Sequence, residues 1–342
     1  MINFIKKHKV LSIVTLICLV FDVIIGLLAL IPANKDIISP GGLNTVSSVI
    51  NVNNDTNING SFNTIYVYSM ERVSVLEVLV GSLSSFNDID DSSETIHLST
   101  KDNQLSGQIQ KNQSIEASLI CAYQTAKEKD SNINLDYNFK GFIVYIHQIN
   151  HNVFKVGDII TKVNDNDTSD INKLADAINN LKIGDVITYF RDEEEMPPYV
   201  VDTNFKEGYQ MFYCYSKYEI NQSTATPSFT LLPSKTLGPS GGLMQTLSIY
   251  SQITGKDYTF GRKIAGTGTI SVSGNVGEIG GITQKIVTAI YNNVDLFLCP
   301  AKNYDEALKA YNKTPGHENM ILVKVETFKQ AISALEEYYG NN

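Results

Sequence analysis

Cysteine is scarce in this chain and poorly placed for crosslinking. Cys18 falls inside a long apolar run, and Cys121, Cys214 and Cys299 stand far apart with no CxxC spacing. That excludes a disulfide framework and leaves isolated thiols as the default. Histidine is also sparse: His8, His97, His147, His151 and His317 form no metal-ligand pattern, so no metal site is expected. Basic residues are outnumbered, with 27 Lys and Arg against 36 Asp and Glu and a formal net charge of −9. No basic stripe interrupts the folded part, and nucleic-acid binding, which needs cations facing phosphates, is disfavoured. No Gly-x4-Gly-Lys-Ser/Thr sequence occurs. The phosphate-cradling loop of ATP-driven machines is thus absent, and no cofactor is expected.

What is present begins with Lys6, Lys7 and Lys9, followed by an apolar run from Val10 to Ile31. Such a run is long enough to cross a bilayer as a helix. A cleaved signal peptide has a shorter apolar core and a small-residue exit site, which the stretch Ala29-Leu30-Ile31-Pro32 does not supply. The reading is an uncleaved single-pass anchor in the cell membrane, its lysines cytoplasmic and everything after Pro32 on the outer face. Asp22 lies mid-span, where it either meets a partner helix or water, or is simply tolerated.

At 342 residues the chain has room for two or three domains. After the anchor, the Asn-rich stretch from Asn51 to Asn63 reads as a solvated loop or hairpin tip. Thr64 to Tyr68 reads as a strand. Val73, Leu76, Val80 and Leu83 then share one face of a short helix. A second helix is expected from about Ser114 to Lys127, with Ser114 as N-cap and Ile115, Leu119, Ala122 and Ala126 as its apolar stripe.

From about Asn138 to Asp192 short strands surround one helix. Phe142 to Ile146 is a buried strand, Ile159 to Val163 a second, and Val186 to Phe190 a closing one. Ile171, Leu174, Ala175, Ile178 and Leu181 share a helical face. Through Lys155-Val156-Gly157-Asp158-Ile159-Ile160 and Gly184-Asp185-Val186 this segment resembles a PDZ domain of the kind found in bacterial proteases. The resemblance implies an extended peptide taken beside the strand that starts at Gly141 and Phe142, with the 171–181 helix as the other wall. The alternative is a packing module that only positions its neighbours.

Gly238-Pro239-Ser240-Gly241-Gly242 leads into Leu243, Met244, Leu247 and Tyr250 at helical spacing. Ser240 therefore stands at a helix start, where free N–H groups and the positive dipole end gather and could hold an oxyanion. Gly238 and Gly241 would let a substrate backbone come close. Alone, such a Ser is more often an N-cap, and Lys285, one turn into a helix after Gly280-Gly281, is by itself an ordinary helical lysine. Together they suit a nucleophile and a base, provided burial keeps the amine neutral. His317 beside Thr314-Pro315-Gly316 is badly placed to orient a serine, which disfavours a Ser-His-Asp triad.

The segment Gly261-Arg262-Lys263-Ile264-Ala265-Gly266-Thr267-Gly268-Thr269-Ile270, with Gly274, Gly277, Gly280-Gly281 and Lys285, resembles the proteolytic domain of the Lon family. With the anchor and the PDZ-like part, nearly the whole chain resembles the membrane-bound, PDZ-containing Lon-type proteases of Gram-positive bacteria. That resemblance implies Ser240 as nucleophile, Lys285 as general base and Thr267 as the residue steadying the amine. It also implies protein or peptide substrates and a six-membered ring of chains. Three positions depart from the family pattern: Gly241 where many members have Ala, Leu237 where an acidic residue is common, and Thr269 where ATP-driven members carry Glu. The expected fold is α+β: an anchor with cytoplasmic tip at 1–34, an N-terminal region at 35–130, a PDZ-like domain at 131–204 and a Lon-type domain at 205–342. The expected activity is ATP-independent cleavage of flexible or unfolded segments, and the rival is a Lon-like binding protein that has lost turnover.

Overall fold

The computed structural model describes residues 8–54, 56–93, 98–148, 153–206, 208 and 210–340. Lys6, Lys7, His97 and His151 lie outside the described residues. The chain is mixed α/β with one N-terminal apolar helix, and it divides into two compact units. One comprises residues 1–41 and 67–92, the other 42–66 and 93–342. The expected 35–130 region is thus shared between them, because the strands Pro32–Thr45 and Ser61–Ser74 are each long enough to serve both.

In the first unit, helix α1 (Lys9–Leu30) has 22 residues, none of them buried. At 1.5 Å per residue that is about 33 Å, long enough and apolar enough to cross a membrane. Helix α2 (Val75–Gly81) is opened by a capping box in which Ser74 and Glu77 satisfy each other's backbone N–H. Ile37 and Ile89 lie opposite each other where the first strand pairs antiparallel with Asp88–Asp91.

The second unit holds two sheets. One contains parallel strands in the order Ile321–Val325, Leu296–Pro300, Lys263–Gly266 and the start of Ser61–Ser74. Side chains alternate across it as strand geometry requires. Ile264, Leu296 and Leu298 enter one core cluster with helices α5 (Gly242–Thr254) and α8 (Phe328–Tyr339). Ala265, Phe297 and Cys299 enter another with α6 (Ile282–Tyr291) and α7 (Tyr304–Lys313). The sheet is therefore covered on both faces, as a parallel sheet demands.

The second sheet is antiparallel, in the order Tyr199–Val200, Val186–Arg191, Ile159–Val163, Asn134–His147 and Phe212–Thr226. Helix α4 (Ile171–Asn179) supplies Leu174 and Ile178 to its core, with Val144, Phe154, Ile160 and Ile187. The buried carboxylate of Asp158, 1% exposed, takes a two-pronged bond from Arg191 at 2.8 and 2.7 Å. Phe212–Thr226, expected to begin the next domain, instead pairs along nearly the whole of Asn134–His147.

Helix α3 runs from Thr100 to Lys127, not from Ser114, and its cap is Ser99. Its first half buries Ser106, Lys111 and Gln113 beside Ile109, so no apolar stripe marks it. The Asn-rich stretch is also less loop-like than its composition suggests. Ile50–Val52 pairs with Phe229–Leu231, and the Val52 N–H donates to the side chain of Gln252 at 2.9 Å.

Candidate active site

Three elements converge on one point. Strand Lys263–Gly266 ends in Thr267, which is fully buried. Helix α5 begins at Gly242, two residues after the half-buried Ser240. Helix α6 begins after Gly281, whose φ of 69° suits glycine, and carries Lys285 in its first turn. Gly266 matters here because a Cβ would come within 2.7 Å of Met244 Sδ and 2.8 Å of the Leu298 carbonyl. Only a residue without a side chain lets α5 lie this close to the strand.

The turn carrying Ser240 is zipped to the strand end. Gly268 N–H donates to the Ser240 carbonyl at 2.9 Å and the Thr267 hydroxyl donates to it at 3.1 Å. Leu243 N–H returns a bond to the Gly268 carbonyl at 3.1 Å. Lys285 Nζ lies 2.7 Å from Ser240 Oγ and 3.1 Å from Thr267 Oγ1. Lys285 is 2% exposed, and this burial lowers the pKa of its amine from 10.5 to about 8. At pH 7 roughly a tenth of such amines are neutral, against far fewer than one in a thousand for a free lysine. A neutral amine can accept the proton of the hydroxyl beside it.

The structure thus brings Ser240, Lys285 and Thr267 together. It places Gly238 and Gly241 in the same turn. Gly238 has φ 84° and open space where a Cβ would be, while a Cβ on Gly241 would stand 3.0 Å from Thr64 Cγ2. An Ala at 241 would therefore need Thr64 to move. Among the described residues, neither the Ser240 nor the Gly241 N–H has a protein acceptor. His317 is engaged elsewhere, its Nδ1 3.0 Å from the Thr314 carbonyl and its ring against Tyr311. No cluster of His, Cys, Asp and Glu among the described residues could hold a metal ion.

Residues 232–335 match the family model of the Lon protease (S16) C-terminal proteolytic domain. The chain contains a Lon-type proteolytic domain. Its relatives include a Lon protease of Campylobacter jejuni subsp. jejuni, 32% identical over 95 residues, and a Lon protease of Phenylobacterium zucineum, 34% identical over 97. Each match takes in 28% of this chain and 12% of the relative. Within the Lon-type domain lie all three clustered side chains, Ser240, Thr267 and Lys285.

Gly141 and Phe142 sit elsewhere, in the interior of the antiparallel sheet. Gly141 faces Lys217 and Phe142 faces Ser216 on one side, and Phe142 faces Ile160 on the other. A Cβ at Gly141 would come within 2.4 Å of the Ile160 carbonyl, so the glycine is accounted for by a neighbouring strand. A peptide could be added beside these residues only by displacing Phe212–Thr226 or Ile159–Val163. Sequence reasoning missed the residues of α3 that touch the turn carrying Ser240, where the Ser114 hydroxyl donates to the Pro239 carbonyl at 3.0 Å. Their signal was a polar stripe at helical spacing, which a search for apolar stripes passes over.

Proposed function

We propose that the chain is a serine endopeptidase in which Ser240 is the nucleophile, Lys285 the general base and Thr267 the residue that steadies the amine. The observation that carries this reading is the buried, partly discharged Lys285 amine 2.7 Å from the Ser240 hydroxyl. Neutral Lys285 takes the proton as Ser240 Oγ attacks the peptide carbonyl carbon. The resulting oxyanion is held by the unengaged N–H groups at the head of α5. Collapse breaks the C–N bond, and Lys285 returns its proton to the leaving amine. Water, deprotonated by the same amine, then releases the acyl group and restores Ser240.

The same reading makes the enzyme independent of ATP, as the resemblance to the membrane-bound, PDZ-containing Lon-type proteases implies. Its substrates are then flexible or unfolded segments. Helix α1 anchors it in a membrane in a single pass, and the preceding lysines put the domain on the outer face. The PDZ-like segment 131–204 acts as a scaffold, because both backbone edges at Phe142 are already paired. A ring of six chains is carried over from the family resemblance alone.

The test is cleavage of an unfolded, casein-like substrate by the full chain in detergent micelles. Ser240→Ala and Lys285→Ala should each abolish turnover while thermal unfolding stays cooperative. Turnover like that of the unaltered chain in either variant would remove the dyad. A folded, unaltered chain that retains peptide but never cleaves it would favour a silent binding protein.

A further inference from the structure

Helix α3 lies outside the matched segment 232–335, yet one of its faces touches the nucleophile turn and the residues leading to it. Gly107, Lys111, Ser114 and Ser118 follow at steps of four, three and four, the spacing that puts residues on one helical face. The Gly107 carbonyl accepts from the Gly238 N–H at 3.0 Å. Position 107 must be small, since a Cβ there would stand 3.0 Å from Leu237 Cβ. Lys111, 7% exposed, donates through Nζ to the Ser234 carbonyl at 2.8 Å. The Ser114 hydroxyl, 5% exposed, donates to the Pro239 carbonyl at 3.0 Å, and Ser118 Oγ lies 3.0 Å from the Gly242 carbonyl.

A stripe of this kind is not what packing alone would select. Burying an ammonium costs desolvation that a Met or Leu of similar length would not incur. The turn has a specific need that the stripe meets. Pro239 has no N–H, so the turn beside Ser240 is short of one donor and leans on its carbonyls. Ser234, Pro239 and Gly242 present those carbonyls, and α3 supplies hydrogen-bonding groups at matching heights. Thr267 and Gly268, at the strand end, hold the Ser240 carbonyl. The nucleophile is thereby gripped between the strand end and α3.

We propose that Gly107, Lys111 and Ser114 of α3 are positioning residues for the nucleophile turn, setting the Ser240 hydroxyl against the Lys285 amine. The proposal rests on the peptidase reading above and extends its working site beyond the matched domain.

The test uses Lys111→Met and Ser114→Ala in the full chain, with a small chromogenic ester as substrate and Ser240→Ala as reference. Lys111→Met keeps the buried stem and loses only the bond to Ser234. Misplacing a reacting atom by a fraction of an ångström slows the chemical step without altering substrate affinity. For each variant kcat should fall about tenfold or more, with KM within about twofold of the unaltered chain. The alkaline rise of the rate should keep its midpoint, and the Tm should change little. General loosening would instead admit water to Lys285, raise that midpoint and lower the Tm together. Unchanged kcat in both variants, or a loss of rate that appears only with a displaced midpoint, would overturn the proposal. The peptidase reading fails differently, by Ser240→Ala matching the unaltered chain, and takes this proposal with it.

Discussion

Replacing Lys285 by Met should make the protein more stable near neutral pH while ending its activity. Burial lowers this amine from 10.5 to about 8. The folded-state pKa is thus below the unfolded one, and between these values the unfolded chain binds more protons. Stability conferred by the native site therefore rises with pH across that window. Below about pH 8 the full cost of burying the ammonium is present, and above about 10.5 it is gone. At 1.36 kcal/mol per unit that cost is roughly 3 kcal/mol. Methionine fills the same channel without charge but loses the bonds to Ser240 and Thr267, each worth about 1 kcal/mol. The variant should therefore gain about 1 kcal/mol at pH 7 and lose about 2 kcal/mol at pH 11. For a unit of this size that is a Tm raised by roughly 2–4 °C at the lower pH. Calorimetry of both proteins from pH 7 to 11 measures it, with tyrosine and cysteine titration common to the two. A stability difference that does not change with pH would refute a buried, partly discharged amine.

The rate of acylation should rise with pH through a midpoint near 8, following the neutral fraction of Lys285, and a flat profile between pH 6 and 9 would speak against it as base. Thr267→Val keeps the shape and removes the hydroxyl that meets both Lys285 Nζ and the Ser240 carbonyl. Its kcat should drop about 10- to 100-fold with the fold intact by circular dichroism. Asp158→Ala leaves the Arg191 guanidinium without its carboxylate in the antiparallel sheet and should cost about 3–5 kcal/mol in urea unfolding. Gly266→Ala should lower the Tm by several degrees, because the new methyl meets Met244 Sδ and the Leu298 carbonyl inside van der Waals contact.

Much of this arrangement could be read from residue order. Leu296 to Cys299 is apolar throughout and forms a strand covered on both faces. Gly280-Gly281 marked the start of α6 and so put Lys285 in its first turn. Periodicity failed where burial was polar. The α3 stretch around Gln108, Lys111 and Gln113 is polar in sequence, yet Lys111 and Gln113 are buried against the carbonyls of Ser234 and Ser216, brought from more than a hundred positions away. It also failed for strand pairing. Nothing local tells Phe212–Thr226 to join Asn134–His147, a choice made by contacts such as Tyr218 with Tyr137 and Phe139, and by the Lys217–Glu116 ion pair.

On the proposed reading, the position of Lys285 explains how a lysine would serve as base without an acidic partner. Burial lowers its pKa with no carboxylate acting against it, so nothing acidic holds the amine in its charged form. The residue lies in the first turn of α6, where the helix dipole presents its positive end. Both burial and dipole disfavour the ammonium, the second by up to about 1 kcal/mol near an exposed terminus. An acidic neighbour at position 237 would oppose them if it reached the amine. Leu237 is half exposed and packs on Gly107 instead. Leu237→Asp should therefore leave the Lys285 midpoint where it is, because the side chain is engaged with α3. A clear upward shift of that midpoint would show that position 237 does reach the amine and that α3 does not hold it away.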